Sequence, residues 1–428
     1  MQSTRFNLGI ITLFCLFVFG KTYALDTLRL SIDETQSRFA QQNLTLLANH
    51  FNIDFAKAQT LQAGLRPNPT FSAEGNLFNP QGNHFFSWFG ENGMNALHID
   101  QLLRTAHKRN KLVDIARLNE KLNENQFFDL LRTLNATVRQ DFYNIHYLEN
   151  GIAVLNAEIA SVSNLLTTTK AAVQAGTVPQ KEQLRLEILL FSLQSDRSTK
   201  VQTLNDTEAE LKTLIVVEPT VYVTPSVASS LAMTDANFTA LKMPTPDSLY
   251  ALALTQRTDL KVAENLRQIA QANLTYQKAL KTPDVTVGVG YQSTGNFTPN
   301  YTGITASLPL MIFDKNQGNI KAAEIQVKQQ EAVNQSIYYQ TRQDIFNTVV
   351  KFQEYQNLKT QSGGTFFADF QTMMGNMVTL YKDRQVTLTQ LIDFMESFKD
   401  NKLKALDLDN SLIQTKEHLN FIVGKAMF

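Results

Sequence analysis

The six histidines are the residues of this sequence best suited to metal binding or acid–base catalysis, and their spacing disfavours both. They are His50, His84, His98, His107, His146 and His418. No two of them stand at the spacing of a metal site, and the single cysteine is Cys15, so the common zinc-ligand sets do not arise. Nucleophile-elbow and phosphate-loop motifs are also missing. We therefore expect a protein that is not an enzyme and that carries no cofactor and no resident metal.

Three methionines, Met373, Met374 and Met377, form the one remaining group with metal chemistry, because thioether sulfur suits Cu(I). Met373 and Met377 would share one face of a helix. Methionine is also a common packing residue in helices. We interpret this group as core or interface filler.

The charge balance disfavours a nucleic-acid partner. The sequence has 39 basic and 39 acidic residues and no basic block, whereas nucleic-acid binding requires a basic surface. After residue 24 there is no apolar run of about 18 residues, the length that a membrane-spanning helix needs. If this chain crosses a membrane, it must do so with strands.

Residues 1–24 have the pattern of a signal peptide. Arg5 supplies the positive charge, residues 8–19 form the apolar core, and Thr22-Tyr23-Ala24 provides the small residues of a cleavage site. Cys15 lies inside this segment. Phe14 is too bulky for a lipoprotein cleavage site, so we do not expect Cys15 to be lipidated.

The chain contains an internal repeat. SIDETQSRFAQQNLTL (31–46) returns as TPDSLYALALTQRTDL (245–260), LRPNPTFSAEG (65–75) as KTPDVTVGVG (281–290), and RQDFYN (139–144) as RQDIFN (342–347). Each half has the same order of a helix, a proline, short alternating segments and a long helix. We predict a first repeat over 25–213, an irregular connector over 214–244 and a second repeat over 245–428.

The short segments alternate between apolar and polar or small residues, as strands do. After Pro283, apolar residues occupy every second position from Val285 to Tyr291, and the same holds from Ile304 to Leu308; the first half repeats the pattern more weakly around Phe71 and Ile99. Such alternation fits transmembrane strands that line a wet lumen, and it also fits a soluble hairpin with one buried face.

Three ionisable residues fall on the polar positions of the first pair of strands: Glu74, His98 and Asp100. If the strands surround a lumen, these side chains face it. There we expect them to tune charge selectivity without binding a solute tightly, because a solute that enters such a lumen must also be able to leave it.

The intervening segments predict helices of unusual length. Residues 105–175 contain no proline and only Gly151 as a weak interruption, which corresponds to roughly 105 Å of helix. Further helices are predicted over about 33–65, 180–213, 246–280, 315–383 and 387–424. Their apolar spacing indicates coiled-coil-like packing, which both a hollow cylinder and a solid bundle satisfy.

Three stretches carry a resemblance to a known family. They are LRPNP (65–69), RTDL (257–260) and LPLMIFDKNQGNIKAAE (308–324). With the duplicated order of elements, they make the chain similar to the TolC-like outer-membrane efflux ducts. The Asn-Gln-Gly-Asn wording of 316–319 is most similar to the CzcC/CusC heavy-metal branch.

This resemblance implies a mainly α-helical fold with a β-barrel contribution. Three protomers would each give four transmembrane strands to a twelve-stranded barrel and would continue it as a long helical tunnel through the periplasm. The implied function is passive export through the outer membrane of a Gram-negative bacterium, with heavy-metal cations as the expected cargo. The implied partners are two further copies of the chain, a periplasmic adaptor and an inner-membrane transporter of the resistance-nodulation-division type.

Alternative functions remain at this point. Multidrug efflux and type I protein secretion use the same kind of duct. A different class is a periplasmic helical structural protein that never enters a membrane.

The resemblance also assigns roles to two turns, QAGTVPQKEQL (174–184) and KDRQVTLTQLI (382–392). As tips of the long helices they would form the periplasmic entrance and dock the adaptor, through Gly176, Thr177, Val178, Val386, Thr387 and Leu388. Tyr381, Asp383 and Arg384 stand where such ducts hold their entrance closed. Pro179 and Arg384 depart from the family's usual Ser and Gly. Without the resemblance, both segments would be interpreted as plain interhelical turns.

The period of the sequence changes from strand to helix between Ser307 and Glu324. We expect SLPLMIFD (307–314) to form the end of the last strand and the following residues to begin a helix. Pro309 should limit strand pairing, and Asp314 should cap the helix.

Overall fold

The computed structural model describes residues 27–80, 83–91, 93–227, 243–295, 297–361 and 366–427. The expected signal peptide with Cys15 lies outside the described residues. Residues 228–242 of the expected connector (214–244) lie outside them as well.

Long helices dominate the described chain. In chain order they are α1 (Ile32–Gln42), α2 (Leu44–Gly64), α3 (Lys108–Gln174), α4 (Gln180–Ile215), α5 (Pro246–Gln256), α6 (Thr258–Ala279), α7 (Gln317–Gln361), α8 (Phe366–Lys382) and α9 (Leu388–Val423). Helix α3 has 67 residues, as its composition predicts. None of the described helices is both long enough and apolar enough to cross a membrane.

The strands are short by comparison. They are β1 (Thr27–Leu30), β2 (Thr70–Gly75), β3 (Phe78–Asn79), β4 (His84–Phe85), β5 (Met94–Leu103), β6 (Tyr222–Pro225), β7 (Val285–Thr294) and β8 (Thr298–Ser307). Strands β1 and β6 pair in parallel, and β3 pairs with β4. The principal sheet has the order β2-β5-β7-β8 and is antiparallel throughout.

The register of the principal sheet aligns residues of the same kind in rows. Phe71, Ile99, Val289 and Ile304 are paired across the four strands. Because successive side chains point to opposite faces, the neighbouring row of Thr70, Asp100, Gly288 and Thr305 lies on the other face. We call these the apolar face and the polar face of the sheet. The alternation in the sequence therefore predicts both the strands and their sidedness correctly.

Two of the predicted helices are each interrupted once. The expected helix over 33–65 breaks at Asn43, whose side chain accepts from Leu46 N (2.9 Å) and donates to Leu214 O (2.8 Å). The expected helix over 246–280 breaks at Arg257, where the backbone is extended. The two breaks fall at matching positions of the two repeated stretches.

The hydrogen bonds at the break explain why Arg257 and Asp259 occur together in RTDL (257–260). Arg257 donates through Nε (2.9 Å) and Nη2 (2.5 Å) to the two carboxylate oxygens of Asp259, and through Nη1 to Ile422 O (3.3 Å). Arg132 on α3 donates to Phe421 O (2.7 Å). Burial alone would raise the pKa of Asp259, but the hydrogen bonds and charge of Arg257 lower it. Two arginines thus donate to carbonyls at the end of α9, where Phe421 O also accepts from Gly424 N (3.1 Å).

A buried ion pair joins the sheet to the helices. Lys108, at the start of α3, is only 4% exposed. Its Nζ donates to Asp284 Oδ1 (2.7 Å) and to Thr282 O (2.6 Å), just before β7. Thr105 N, just after β5, donates to the same carboxylate oxygen (2.8 Å). These bonds hold the end of β5 and the start of β7 at a fixed angle to α3.

The second junction differs from expectation. Strand β8 ends at Ser307, so Leu308–Phe313 do not continue it. Asp314 does not cap α7 by the expected bond, because its Oδ1 accepts from Asn316 N (2.8 Å), which lies before the helix. Asn316 has a φ of 58° and donates through Nδ2 to Gln277 O on α6 (2.8 Å). A turn anchored to the neighbouring helix, and not the carboxylate, sets where α7 begins.

The far ends of the long helices share one hydrophobic core. Its buried members come from α3, α4, α8 and α9: Leu155, Val162, Leu165, Leu166, Leu186, Leu189, Leu193, Met374, Leu388, Leu391 and Met395. Met377 packs against this core, whereas Met373 is 48% exposed. Met374 and Met377 therefore act as packing residues, as their interpretation predicts.

Asp141 on α3 supplies a test of this packing. It is only 9% exposed, and among the described residues its Oδ2 has no hydrogen-bond partner. Burial, with a smaller contribution from the Glu210 charge, raises the pKa of Asp141 from 3.8 to about 7. A raised pKa means that the folded state disfavours the ionised form. The loss of folding free energy caused by the ionised Asp141 is therefore absent below its ordinary pKa of 3.8. It grows between pH 3.8 and about pH 7, and it is complete above pH 7.

We expect Asp141→Asn to stabilise the protein by about 1 kcal/mol above pH 7, because it removes a buried carboxylate that lacks a partner. The gain should shrink as the pH falls towards 4. Thermal melting of purified protein in detergent across this pH range measures it. Asp206→Asn, at an exposed position on α4, is the matched control and should change the melting temperature little at any pH.

Candidate functional site at the helical tips and the sheet

The two predicted tips have the same backbone geometry. In the α3–α4 turn, Gly176 N donates to Val173 O (3.0 Å) and Thr177 N to Ala172 O (2.9 Å). In the α8–α9 turn, residues 384 and 385 donate to the equivalent carbonyls at 3.0 and 2.9 Å. Both helices thus end in the same Schellman-type turn, which the alignment of the two stretches anticipates.

The central residue of the two turns differs. Gly176 has a φ of 72° and Arg384 a φ of 59°. Both lie in the left-handed region, which costs glycine nothing and costs other residues roughly 1–2 kcal/mol. The α8–α9 turn therefore adopts the geometry of the α3–α4 turn at a higher conformational cost.

The tips lie side by side and enclose a pocket of about 520 Å³. Of the predicted docking residues, Thr177, Val178, Val386, Thr387 and Leu388 line it, together with Tyr381 and Arg384 of the predicted gate. Gly176 and Asp383 do not line it. The structure therefore brings most of the predicted tip residues to one place.

Two of the predicted docking residues have structural roles. Thr387 caps α9: its Oγ1 accepts from Gln390 N (3.3 Å), and its own N donates to Gln390 Oε1 (2.9 Å). Leu388 is 3% exposed in the hydrophobic core at the helix ends. An outside partner would meet Thr177, Val178 and Val386 more readily than Leu388.

Tyr381 connects the predicted gate to the opposite tip by a hydrogen bond. Its hydroxyl donates to Glu182 Oε2 on α4 (3.3 Å). Burial raises the pKa of Tyr381, and the Glu182 carboxylate raises it further. Asp383 and Arg384 are exposed, and no ion pair of either is found within the described part of the chain.

Sequence reasoning missed Glu182 as a partner. The sequence indicates this residue only weakly, because Glu182 is merely the first acidic residue after the turn, in the first turn of α4. A second polar contact joins α4 to α9, from Arg185 Nη1 to Thr389 Oγ1. Each contact connects α4, which follows the first turn, with a helix on one side of the second turn, so the tips are tied to each other by side chains.

The polar face of the sheet carries the three predicted lumen residues. Asp100 pairs with Thr70, His98 with Ser72, and Glu74 with the residue two positions before His98 on β5. Glu74 is exposed, whereas His98 and Asp100 are half-buried. Thr305 Oγ1 donates to Asp100 Oδ1 (3.4 Å). The three side chains therefore share one surface and form no tight cluster.

No group of three or more His, Cys, Asp or Glu side chains able to hold a metal is found among the described residues.

One segment of the chain is similar to a known protein family. Residues 249–361, from α5 to the end of α7, match the family described as outer membrane efflux protein. The match covers about a quarter of the chain. No curated protein matches the chain by sequence.

Solved structures agree over nearly the whole chain. CusC, solved in a study of folding and transmembrane channel formation, has a TM-score of 0.73 at 16% identity, with 92% of each chain covered. The Campylobacter jejuni CmeC outer membrane channel has a TM-score of 0.73 at 12% identity, over 92% of this chain and 86% of that one. The open state of the Neisseria gonorrhoeae MtrE outer membrane channel has a TM-score of 0.69 at 17% identity, over 92% and 89%. At these identities the likeness establishes the fold, which is TolC-like.

Two glycine substitutions test the tip geometry with opposite signs. Gly176→Ala should destabilise the protein by about 1 kcal/mol, because alanine is strained at a φ of 72°. Gly375→Ala should stabilise it by roughly 0.5–1 kcal/mol, because Gly375 lies inside α8 and a Cβ there would meet nothing within 4 Å. Melting temperatures of the two variants measure both effects, and a shift in the same direction for both would contradict this account.

Proposed function

We propose that three copies of this chain form the outer-membrane exit duct of a tripartite pump, and that the duct exports heavy-metal cations. The observation that carries the proposal is the principal sheet. Its four strands have a fully developed apolar face, and neither β2 nor β8 has an outer neighbour within the described chain. Such a sheet is incomplete by itself.

The apolar face gives the first argument. Phe71, Ile99, Val289 and Ile304 are 66%, 51%, 54% and 89% exposed. A contiguous row of large apolar side chains is unfavourable in water, and on soluble proteins such a surface marks an interaction site. Lipid is the partner of matching chemistry, since the row spans all four strands.

The open edges give the second argument. Unpaired backbone groups at a sheet edge are not tolerated in lipid, so the sheet must close on itself. The smallest common barrels have about eight strands. One protomer supplies four, and further copies must supply the rest. Three copies, the number that the family resemblance implies, would give a twelve-stranded barrel.

The helices carry surfaces that a second copy would cover. On α2, four apolar side chains recur at three- and four-residue spacing and are more than half exposed: Leu44, Leu47, Phe51 and Phe55. On α4, Leu184, Ile188 and Phe191 are 50–73% exposed. Apolar stripes of this kind are expected at subunit contacts. They favour an assembly of protomers along the helices as well as along the strands.

The internal organisation follows the repeat. We propose that residues 1–24 are removed as a signal peptide, that 25–213 and 245–428 are two homologous units, and that 214–244 connects them. In support, each unit contains a broken helix, two strands of the principal sheet and a helix, α3 or α8, that ends in the same turn. Each unit thus supplies half of the protomer's strands.

The heavy-metal cargo rests on narrower support. The Asn-Gln-Gly-Asn wording at 316–319 resembles the CzcC/CusC branch, and CusC is among the structures with the same fold. We propose that the tips receive a periplasmic adaptor, which links the duct to an inner-membrane transporter of the resistance-nodulation-division type. Multidrug export and type I protein secretion are the alternatives for the same duct.

Membrane fractionation with chemical cross-linking tests the assembly. We expect the protein in the outer-membrane fraction as a cross-linked trimer. A monomer in the soluble periplasmic fraction would contradict the duct and would favour a helical structural protein. Recovery from the outer membrane as a stable monomer would contradict the barrel.

Deletion of the gene tests the cargo. We expect the deletion strain to become sensitive to copper, silver, zinc or cadmium salts and to keep its resistance to hydrophobic dyes and antibiotics. Plasmid-borne wild-type protein should restore metal resistance. Sensitivity to dyes and antibiotics without metal sensitivity would assign the duct to multidrug efflux.

Tyr381→Phe tests the tips as an entrance. The substitution removes the hydrogen bond to Glu182 and keeps the ring. Loss of about 1 kcal/mol per protomer corresponds to a roughly fivefold rise in the open population, so conductance in planar bilayers should increase. Tyr339→Phe, at an exposed position of α7 (71%), is the control. Equal conductance in the two variants would remove Tyr381 from the gate.

A further inference from the structure

Three glycines lie next to one another on the polar face of the principal sheet. Gly288 and Gly290 are alternate residues of β7, and Gly290 pairs with Gly303 of β8. Gly288 and Gly290 also pair with Asp100 and His98 of β5. Glycine weakens a strand by roughly 0.5–1 kcal/mol relative to alanine, so three of them at adjacent sites call for a local reason.

Each of these glycines is covered by a larger side chain from a neighbouring site. A Cβ at Gly288 would overlap the Asp100 carboxylate, and one at Gly290 would overlap the His98 imidazole. A Cβ at Gly303 would come within 2.9 Å of the Tyr301 ring. Contacts this close do not occur between real atoms, so the three side chains lie where a residue with a Cβ would be.

The direction of these side chains is unusual for a strand. Strand side chains normally stand roughly perpendicular to the sheet. Asp100 and His98 instead lean across β7 and lie along the surface, where Thr305 Oγ1 donates to Asp100 Oδ1 (3.4 Å). Without the glycines beneath them, both side chains would have to project away from the sheet.

We infer that Gly288, Gly290 and Gly303 form a recess that holds Asp100, His98 and Tyr301 flat against the wall, and that this recess sets the bore of the duct. The inference rests on the proposed function, in which the polar face lines the lumen. In three copies the recess would occur three times around the barrel. Its effect would be greatest on solutes close to the bore in size.

Conductance of the full-length protein in planar bilayers tests the recess. We would record K⁺ and tetraethylammonium currents in the Tyr381→Phe background, because a closed entrance in series would hide a change in the bore. Gly290→Ala should push His98 into the lumen and lower the tetraethylammonium conductance roughly twofold, with a smaller loss for K⁺. Adding His98→Ala to Gly290→Ala should restore both currents.

Val289→Ala is the matched control, since Val289 is the next residue of β7 and lies on the apolar face. It should leave both currents unchanged. Equal currents in Gly290→Ala and Val289→Ala would overturn the recess, and so would a loss that His98→Ala does not reverse. If Gly290→Ala fails to assemble, recovery of assembly by added His98→Ala supports the overlap, and continued failure contradicts it. Absence of the Tyr381→Phe parent from the outer-membrane fraction as a cross-linked trimer would contradict the proposed duct itself.

Discussion

The two free edges of the β2-β5-β7-β8 sheet are the constraint on which the rest of the structure depends. Each edge presents backbone donors and acceptors that have no partner within the described chain. In a membrane this arrangement is stable only when the edges meet other edges. The apolar face then needs lipid and the polar face needs water. In the proposed assembly, the strands of each protomer would therefore face lipid on one side and water on the other.

The helices must follow the geometry that the sheet imposes. The buried Lys108–Asp284 pair and the Asn316–Gln277 contact lie at the two places where the chain passes between strand and long helix. Each holds a strand end to a neighbouring element, so the direction of α3 and of α7 is coupled to the sheet. Removing one partner of a buried pair costs more than the pair contributes, because a charge is left without compensation. The two contacts therefore help to set the directions in which α3 and α7 leave the sheet.

Sequence patterns predicted which helices and strands occur in this fold better than they predicted where those elements begin, break and end. Alternation around Val289 and the proline-free stretch ending near Ala175 are strong local signals, and the strands and the 67-residue helix follow them. The breaks at Asn43 and Arg257 are not local signals. Asn43 donates to Leu214, and Arg257 donates to Ile422, so each break is stabilised by a residue distant in the sequence. No pattern within the helix itself reports such a partner.

The same reasoning explains the errors at smaller scale. Asp314 has the residue type of a helix cap, but a contact of Asn316 with α6 places the start of α7 further along. Leu388 matches the expected wording of a docking tip, yet the tertiary structure buries it. Glu182 became visible only when α4 and α8 were brought together. Residue type and spacing identified the region of the tips, whereas the side chains available to a partner depend on packing between turns far apart in the sequence.

The repeat gives the two tips nearly the same backbone. The residues that differ between them therefore indicate where the two tips can behave differently. The backbone hydrogen bonds of both turns are the same, so one scaffold serves both. Gly176 adopts it without strain, whereas Arg384 does so at a cost. Tyr381 has no counterpart role in the first turn, and its bond to Glu182 ties the more strained tip to the less strained one. In a ring of three protomers, six tips of one geometry would alternate between these two kinds. The backbone of such a ring would then approach sixfold symmetry, whereas its side chains would have only threefold symmetry. A change of conformation would cost least at the tip that contains the strained Arg384.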